Sequence, residues 1–308
     1  MFFIENEKDK NNFLKIYDSL KKLNIENKKL NNFKKVKTSK QIFNSVLNRG
    51  FMGNLNHLLI KLNSKKISDK TIELHYSQPI SSPFLNERVV VYTSTFGGDF
   101  SILEPLFIPD NCDFFYIGDR DITNSSVWKS LEPETVIPNY KSLSNIEKNR
   151  FVKMNPHKIF KDYKYSVYID GNIQLVGDPS EFVNLIGKSG IALHKHRSRI
   201  SAYDELEIIL KLKKININDY DKFCIFLKNS LLPDNFGLAE CNVIARDHYN
   251  PISTKITEQW WELFYDLKIV RDQISFPIVV YKNDIEMKDI TTLGSNVYNN
   301  DILRIIVK

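Results

Sequence analysis

The chain has 308 residues, 42% of them hydrophobic and 12% aromatic, enough to bury a sizeable core and too apolar for wholesale disorder. Its three cysteines, Cys112, Cys224 and Cys241, show no CxxC spacing, which excludes a disulfide framework or a cysteine zinc site and favours a reducing compartment. The formal charge of +6 is uneven: residues 1–75 carry 16 Lys or Arg against 7 Asp or Glu, while the rest carries 27 against 30.

The N-terminus opens MFFIENEKDK, where charges follow directly on two Phe residues and leave no room for the apolar core of a signal peptide. No apolar run approaches the roughly 20 residues that span a bilayer, so the expectation is a cytoplasmic chain. Residues 3–62 read as helical, because Phe13, Leu14, Ile16, Tyr17, Leu20 and Leu23 recur at helical spacing among polar residues. A second helical stretch, Ile42 to Leu62, is interrupted around Arg49-Gly50. Such a basic arm suits an anionic inner-leaflet membrane surface or a partner enzyme, or is simply a solvated helical face. It lacks the interleaved aromatic platforms of a nucleic-acid binder. Ser77 to Pro83, rich in Ser and Pro, reads as a linker, dividing the chain into a helical basic extension (1–76) and a main domain (77–308).

Beyond the linker, strand and helix patterns alternate. RVVVYTST, Arg88 to Thr95, is a continuous β-branched run that ends in Phe96-Gly97-Gly98-Asp99. CDFFYI, Cys112 to Ile117, is a second strand ending in Gly118-Asp119-Arg120-Asp121, and YSVYI, Tyr165 to Ile169, is a third ending in Asp170-Gly171-Asn172. Gly190 to Leu193 and Asn242 to Ala245 are shorter strand candidates. Alternation of this kind predicts an α/β fold with a mostly parallel central sheet flanked by helices, whose ligand crevice lies beyond the carboxyl ends of the strands.

The stretch YSVYIDGNIQLVGDP carries the most chemistry. A carboxylate directly after a buried strand and before Gly turns with the backbone and faces the crevice. Asp170 and Asn172 supply the oxygens that hard divalent cations such as Mn²⁺ and Mg²⁺ prefer, although Asp-Gly is equally at home in an ordinary strand-ending turn. Upstream, Arg150 and Lys153 are placed in a loop or helix end before a short helix predicted from Pro156 to Tyr163, with Asn155 as its N-cap. There they would reach phosphate oxygens. Glu240, Arg246 and His248 flank a short apolar strand and are expected to enter the crevice from its edge. Trp260 and Trp261 lie on a helix, one for the core and the other a candidate lining of an acceptor pocket. Asp272 within Arg271-Asp272-Gln273 reads as the N-cap of the last helix or as an active-site carboxylate.

The ordered blocks VYTSTFGG, RFVKMNPHKIF, YSVYIDGNI, GLAECNVIARDH and WWELFYDLKIVRDQISF resemble a glycosyltransferase-like family of plants and bacteria linked to cell-wall and mucilage polysaccharides. The resemblance runs from about Val89 to Lys282. It implies a GT-A-like fold, a nucleotide-sugar donor, and a glycan or glycoconjugate acceptor; a lipid-linked glycan acceptor is the expectation that goes with docking of the basic arm at the inner leaflet. It also implies a divalent cation, with Asp170 in the first position of an Asp-x-Asp metal motif; the candidate metal ligands in this sequence are Asp170, Asn172 and His248, although a lone His there is more often a surface or hydrogen-bonded residue. Asn172 departs from that motif by replacing the second carboxylate. The candidate nucleotide-sugar set is Thr93, Arg150, Lys153, Asp170, Asn172, Arg246 and Gln273, and the candidate catalytic set is Asp272, Glu240 and Arg271. Inversion would need a base, Asp272 or Glu240, whereas retention would not. A nucleotidyl- or phosphotransferase and a non-catalytic interaction protein on the same fold stay open as alternatives.

Overall fold

The computed structural model describes residues 85, 87–98, 101–268, 271–294 and 296–306. The expected helical extension (1–76) and the linker at 77–83 lie outside the described residues.

The chain runs β1 (Val89–Thr95), β2 (Cys112–Gly118), β3 (Lys129–Leu131), α1 (Pro133–Val136), α2 (Asn145–Met154), α3 (Pro156–Ile159), β4 (Tyr165–Ile169) and β5 (Ile173–Leu175). It continues with α4 (Ser180–Asn184), β6 (Ile191–Lys195), α5 (Ala202–Lys211), α6 (Ile217–Asn229), β7 (Ala239–Asp247), α7 (Pro251–Leu267), α8 (Asp272–Lys282) and β8 (Leu303–Ile305). Six strands form the central sheet in the order β3-β2-β1-β4-β7-β6, and β5 pairs with β8 in a small second sheet. The pairs β2–β3, β1–β2 and β1–β4 are parallel, whereas β7 runs antiparallel to both β4 and β6. The mostly parallel sheet flanked by helices is therefore present, with one reversed strand inside it.

The β-branched run of β1 explains its central position. Val90 and Tyr92 face one core together with Phe151, Trp260, Phe276 and Ile244. Val89 and Val91 face a second core with Phe114, Val167, Phe182 and Leu303. A strand buried on both faces needs apolar residues at successive positions, not at alternate ones. The first core is closed by α2 and α5 to α8, and the second by α4, β5, β8 and the segment carrying Trp128.

Local sequence sets several boundaries. Ser144 begins α2 with a capping box: its hydroxyl accepts from Glu147 N, and the Glu147 carboxylate accepts from Ser144 N at 2.8 Å. This helix extends to Met154, so Arg150 and Lys153 sit in its last turns and not in a loop. The next helix, α3, stops at Ile159, short of the predicted Tyr163, and Asn155 makes no side-chain cap to it. Instead Asn155 Nδ2 donates back to Phe151 O at 3.1 Å.

The reversal of β7 has the larger consequence. It begins at the carboxyl-end rim of the sheet with Ala239 and Glu240 and ends beside the start of β4, where Arg246 pairs with Ser166 and Asp247 with Tyr165. The β6–β7 register shifts between Leu193 and His194, so His194 falls opposite Glu240. Such an irregularity re-aims side chains at the end of a sheet.

Candidate active site at the carboxyl ends of β1 and β4

Two cavities meet where β1 and β4 end. The first, about 600 Å³, is lined by Ser94, Thr95, Phe96, Leu103, Asn145 and Ile146 among others. The second, about 680 Å³, is lined by His196, Arg199, Glu205, Lys214, Glu240 and Asp272 among others. Arg150, Asp170, Asn172 and Arg271 line both, so these four residues form the junction.

The junction is built on the turn after β4. Asp170 N donates to Asn242 O, Ile173 N to Asp170 O, and Ile306 N to Asn172 O, each at 2.9 Å. The turn is thus pinned to β7 on one side and to the C-terminal segment on the other. The Asp170 carboxylate lines both cavities, and its Oδ1 accepts from Tyr168 Oη at 2.9 Å and lies 3.6 Å from Lys153 Nζ. Gly171 is needed for space, since a Cβ there would come within 2.5 Å of Thr95 Cγ2.

Beneath the turn lies a buried charge network. Lys153 Nζ donates to Asp272 Oδ2 at 2.6 Å, and Arg150 Nε stands 3.4 Å from the same oxygen. Burial pushes the Asp272 carboxyl up, but Arg150 and Lys153 outweigh it and hold the group at about 2. Asp272 is the first residue of α8 and not its N-cap, a position that falls to Arg271. Its backbone carbonyl accepts from Trp260 Nε1 at 3.2 Å, which ties the network to the core.

Glu240 has a different environment. It accepts from Arg197 N at 3.2 Å and lies 3.9 Å from His196 Nε2. Burial raises its carboxyl above the ordinary Glu value, against the lowering pull of the Arg197 N–H and the Arg199 charge. His196 accepts at Nδ1 from Ser198 N and Arg199 N, while burial and then Arg199 push its ring down to about 4. Two carboxylates in one cavity are therefore driven apart, one firmly ionised and one readier to hold a proton.

Of the sequence candidates, Arg150, Lys153, Asp170, Asn172, Glu240, Arg271, Asp272 and Gln273 meet in this crevice. Gln273 also donates from Nε2 to Ala239 O at 3.3 Å, across the start of β7. Three candidates do not. Thr93 is 2% exposed inside β1, and the rim belongs to the next two residues, Ser94 and Thr95. Arg246 lies at the far end of β7, buried, donating to Tyr92 Oη at 3.1 Å. His248 follows it there, against Ser166 Oγ at 2.8 Å. Antiparallel β7 carries both away from the crevice that its first residues enter. Trp261 also departs from the acceptor-pocket expectation: it packs edge-on against Phe151 with ring centroids 5.2 Å apart, and it lines neither cavity.

The divalent cation implied for Asp170, Asn172 and His248 does not fit the residues present. His248 is at the other end of the sheet, Asn172 offers an uncharged amide oxygen, and Asp170 is a single carboxylate whose Oδ1 already faces a hydroxyl and an ammonium. Hard dications are held by carboxylate charge, yet one junction carboxylate here stands among Arg150, Lys153 and Arg271. Among the described residues no group of three His, Cys, Asp or Glu side chains is placed to hold a metal ion.

The sequence reading missed the wall formed by His196, Arg199 and Glu205, where Arg199 Nε lies 2.5 Å from Glu205 Oε2. The run HKHRSR, the last two residues of β6 and the four that follow, is the available signal, a polar cluster at a strand's carboxyl end like the three above.

Residues 132–307 match the family described as "TOD1/MUCI70, glycosyltransferase-like domain", and the chain belongs to that family. It is similar to an Arabidopsis thaliana protein described as "Probable hexosyltransferase MUCI70", with 30% identity over 138 residues. That stretch covers 41% of this chain and 23% of the relative, so the chain spans less than a quarter of that protein's length. Similar solved structures include the bifunctional glycosyltransferase WbbM in its apo form, at 12% identity and TM-score 0.41, covering 78% of this chain and 45% of that one. Mouse xyloside xylosyltransferase 1, also apo, is similar at 10% identity and TM-score 0.37, covering 65% and 83%.

Proposed function

We propose that the chain is a glycosyltransferase that moves a sugar from a nucleotide-sugar donor to a glycan or glycoconjugate acceptor, in the synthesis of a surface polysaccharide. The observation that carries this reading is the junction at Asp170, where two cavities of unlike chemistry share two guanidinium groups. The first cavity, with Phe96, Leu103 and Ile146 among backbone and hydroxyl groups, suits a nucleoside. The second, charged and polar, suits sugar hydroxyls. Arg150 and Arg271, between them, match a diphosphate, which guanidinium forks bind in two-pronged fashion.

In the transfer, the bond between the anomeric carbon and the β-phosphate oxygen breaks and its electron pair leaves with the nucleoside diphosphate. The acceptor oxygen bonds to the anomeric carbon and gives up its proton. Positive groups already in place where the diphosphate gains charge lower the barrier without reorganisation. For an inverting course Glu240 is the better base. Its carboxyl is raised by burial and so takes up a proton more readily than an ordinary Glu, whereas Asp272, held at about 2, is a weak base engaged in positioning.

Titration of the purified protein with UDP- and GDP-sugars, followed by assay for hydrolysis or transfer, tests the reading. Binding of no nucleotide sugar would sink it, and turnover of nucleoside triphosphates would favour a nucleotidyl- or phosphotransferase. In the same reading, the protein is cytoplasmic and the basic extension docks at the inner membrane leaflet or on a partner enzyme, where a lipid-linked acceptor is at hand. The motive is the charge concentrated in residues 1–75. Liposome co-sedimentation of the full chain against one beginning near residue 76 tests this, and equal binding by both would remove it.

A further inference from the structure

We infer that the protein's own cations, and not a divalent metal, hold the donor diphosphate and stabilise it as it departs. The inference rests on the nucleotide-sugar reading above and concerns the charge at its centre.

Consider first what is free to meet a ligand. Asp170 is the carboxylate at the junction, and its Oδ1 is turned to Tyr168 Oη at 2.9 Å and Lys153 Nζ at 3.6 Å. Lys153 is 2% exposed and also holds Asp272 at 2.6 Å, so one buried ammonium serves two carboxylates. Each of the two carboxylates is thereby matched by the same buried ammonium at one oxygen, Asp272 within the network and Asp170 at the open junction. Arg150 adds its Nε at 3.4 Å from Asp272 while still lining both cavities. Arg271 lines both as well, and among the described residues no carboxylate lies within ion-pair distance of it. Its Nε is buried without a hydrogen-bond partner.

The formal balance of these five side chains is three cations against two carboxylates. A dication would raise an already positive junction, whereas a diphosphate would neutralise it. Buried guanidinium N–H groups without acceptors are costly, and a phosphate oxygen is the acceptor their geometry prefers. As the glycosidic C–O bond breaks, its electron pair adds charge to the diphosphate between Arg150 and Arg271, with no metal required to receive it. Asn172 is consistent with this arrangement. A second carboxylate there would cancel the surplus that the diphosphate needs.

Isothermal titration of the full-length chain with UDP and GDP, in EDTA and then with Mn²⁺ or Mg²⁺, tests the inference. The expected result is binding in EDTA that changes by less than about threefold when metal is added. Arg150→Ala and Arg271→Ala should each weaken binding by roughly tenfold or more in EDTA, the effect of losing a charge-assisted pair. Arg150→Lys and Arg271→Lys, which keep charge and bulk, should lose less and show whether the alanine variants failed only by misfolding. Asn172→Asp should weaken binding in EDTA and make it respond to Mn²⁺. Binding abolished by EDTA and restored by metal would overturn the inference while leaving the donor reading intact. Absence of binding under every condition would overturn both.

Discussion

Lys153, in the last turn of α2, and Asp272, the first residue of α8, are 119 positions apart in sequence and joined by a buried ion pair of 2.6 Å. Beside them Asp170 closes the triad at 3.6 Å from the same ammonium. The site is therefore held together by a charge link between the helix under β1, the second helix after β7, and the turn after β4.

Removing one partner of this pair should be costly, because the other charge stays buried without compensation. Lys153→Met is expected to destabilise the fold by about 3–5 kcal/mol, a magnitude typical of broken buried pairs. Urea denaturation followed by circular dichroism measures it. Lys153→Met with Asp272→Leu should recover part of that stability, since the second change removes the buried carboxylate that the first leaves without its ammonium; Asp170 and Arg150 each still lose a partner, and nucleotide binding should not return.

Glu240 and Asp272 should separate in a pH profile of the transfer reaction. A base must be deprotonated before it accepts a proton, so a Glu240 carboxyl raised by burial places the acid limb of kcat/KM above the ordinary Glu range. Glu240→Gln is expected to lower kcat by about 10²–10⁴ and to flatten that limb, the scale typical of a lost general base. Asp272→Asn should leave the limb in place, because Asp272 already titrates at about 2. A limb that survives Glu240→Gln would rule Glu240 out as the base.

Far from the crevice, His248 gives the fold its own acid sensitivity. Burial, then Arg246 and His157, push its ring down to about 3, whereas an unfolded histidine titrates near 6.5, about the model-peptide value. Between those values the unfolded chain binds the extra proton. The His248 contribution is therefore complete above about 6.5 and is lost as pH falls toward 3. His248→Gln should make the urea midpoint fall less steeply over that window than in the parent protein.

Gly171 should resist substitution for a steric reason. A Cβ there would meet Thr95 Cγ2 at 2.5 Å, and Thr95 is itself tied through Oγ1 to Tyr116 Oη at 2.8 Å. Gly171→Ala is expected to cost about 1–3 kcal/mol, as overpacking does elsewhere, and to weaken nucleotide binding in the first cavity. Denaturation and titration with UDP check the two effects. Unchanged affinity with lowered stability would place the strain outside the binding surface.

Much of the fold is written in local pattern. Runs rich in β-branched and aromatic residues mark β1 and β4 because a strand covered on both faces buries successive positions, not alternate ones. Polar turns follow those strands because the backbone emerges at the rim, so Asp170, Asn172 and the Gly97-Gly98 turn were legible as crevice residues. The family blocks carried Arg150, Lys153 and Arg271 to Gln273 with them.

Strand direction was not legible, since an antiparallel strand buried on both faces has the same composition as a parallel one. Only the sheet decided that β7 enters at Glu240 and leaves at Arg246, which sends Arg246 and His248 to the wrong end for the chemistry once expected of them. Charge pairing was hidden for a similar reason. Sequence alone placed Asp170 beside a strand end and made it a candidate for metal. Tertiary structure set Lys153 and Tyr168 against it, and Coulomb interactions act through space over a few ångströms, which no spacing along the chain records.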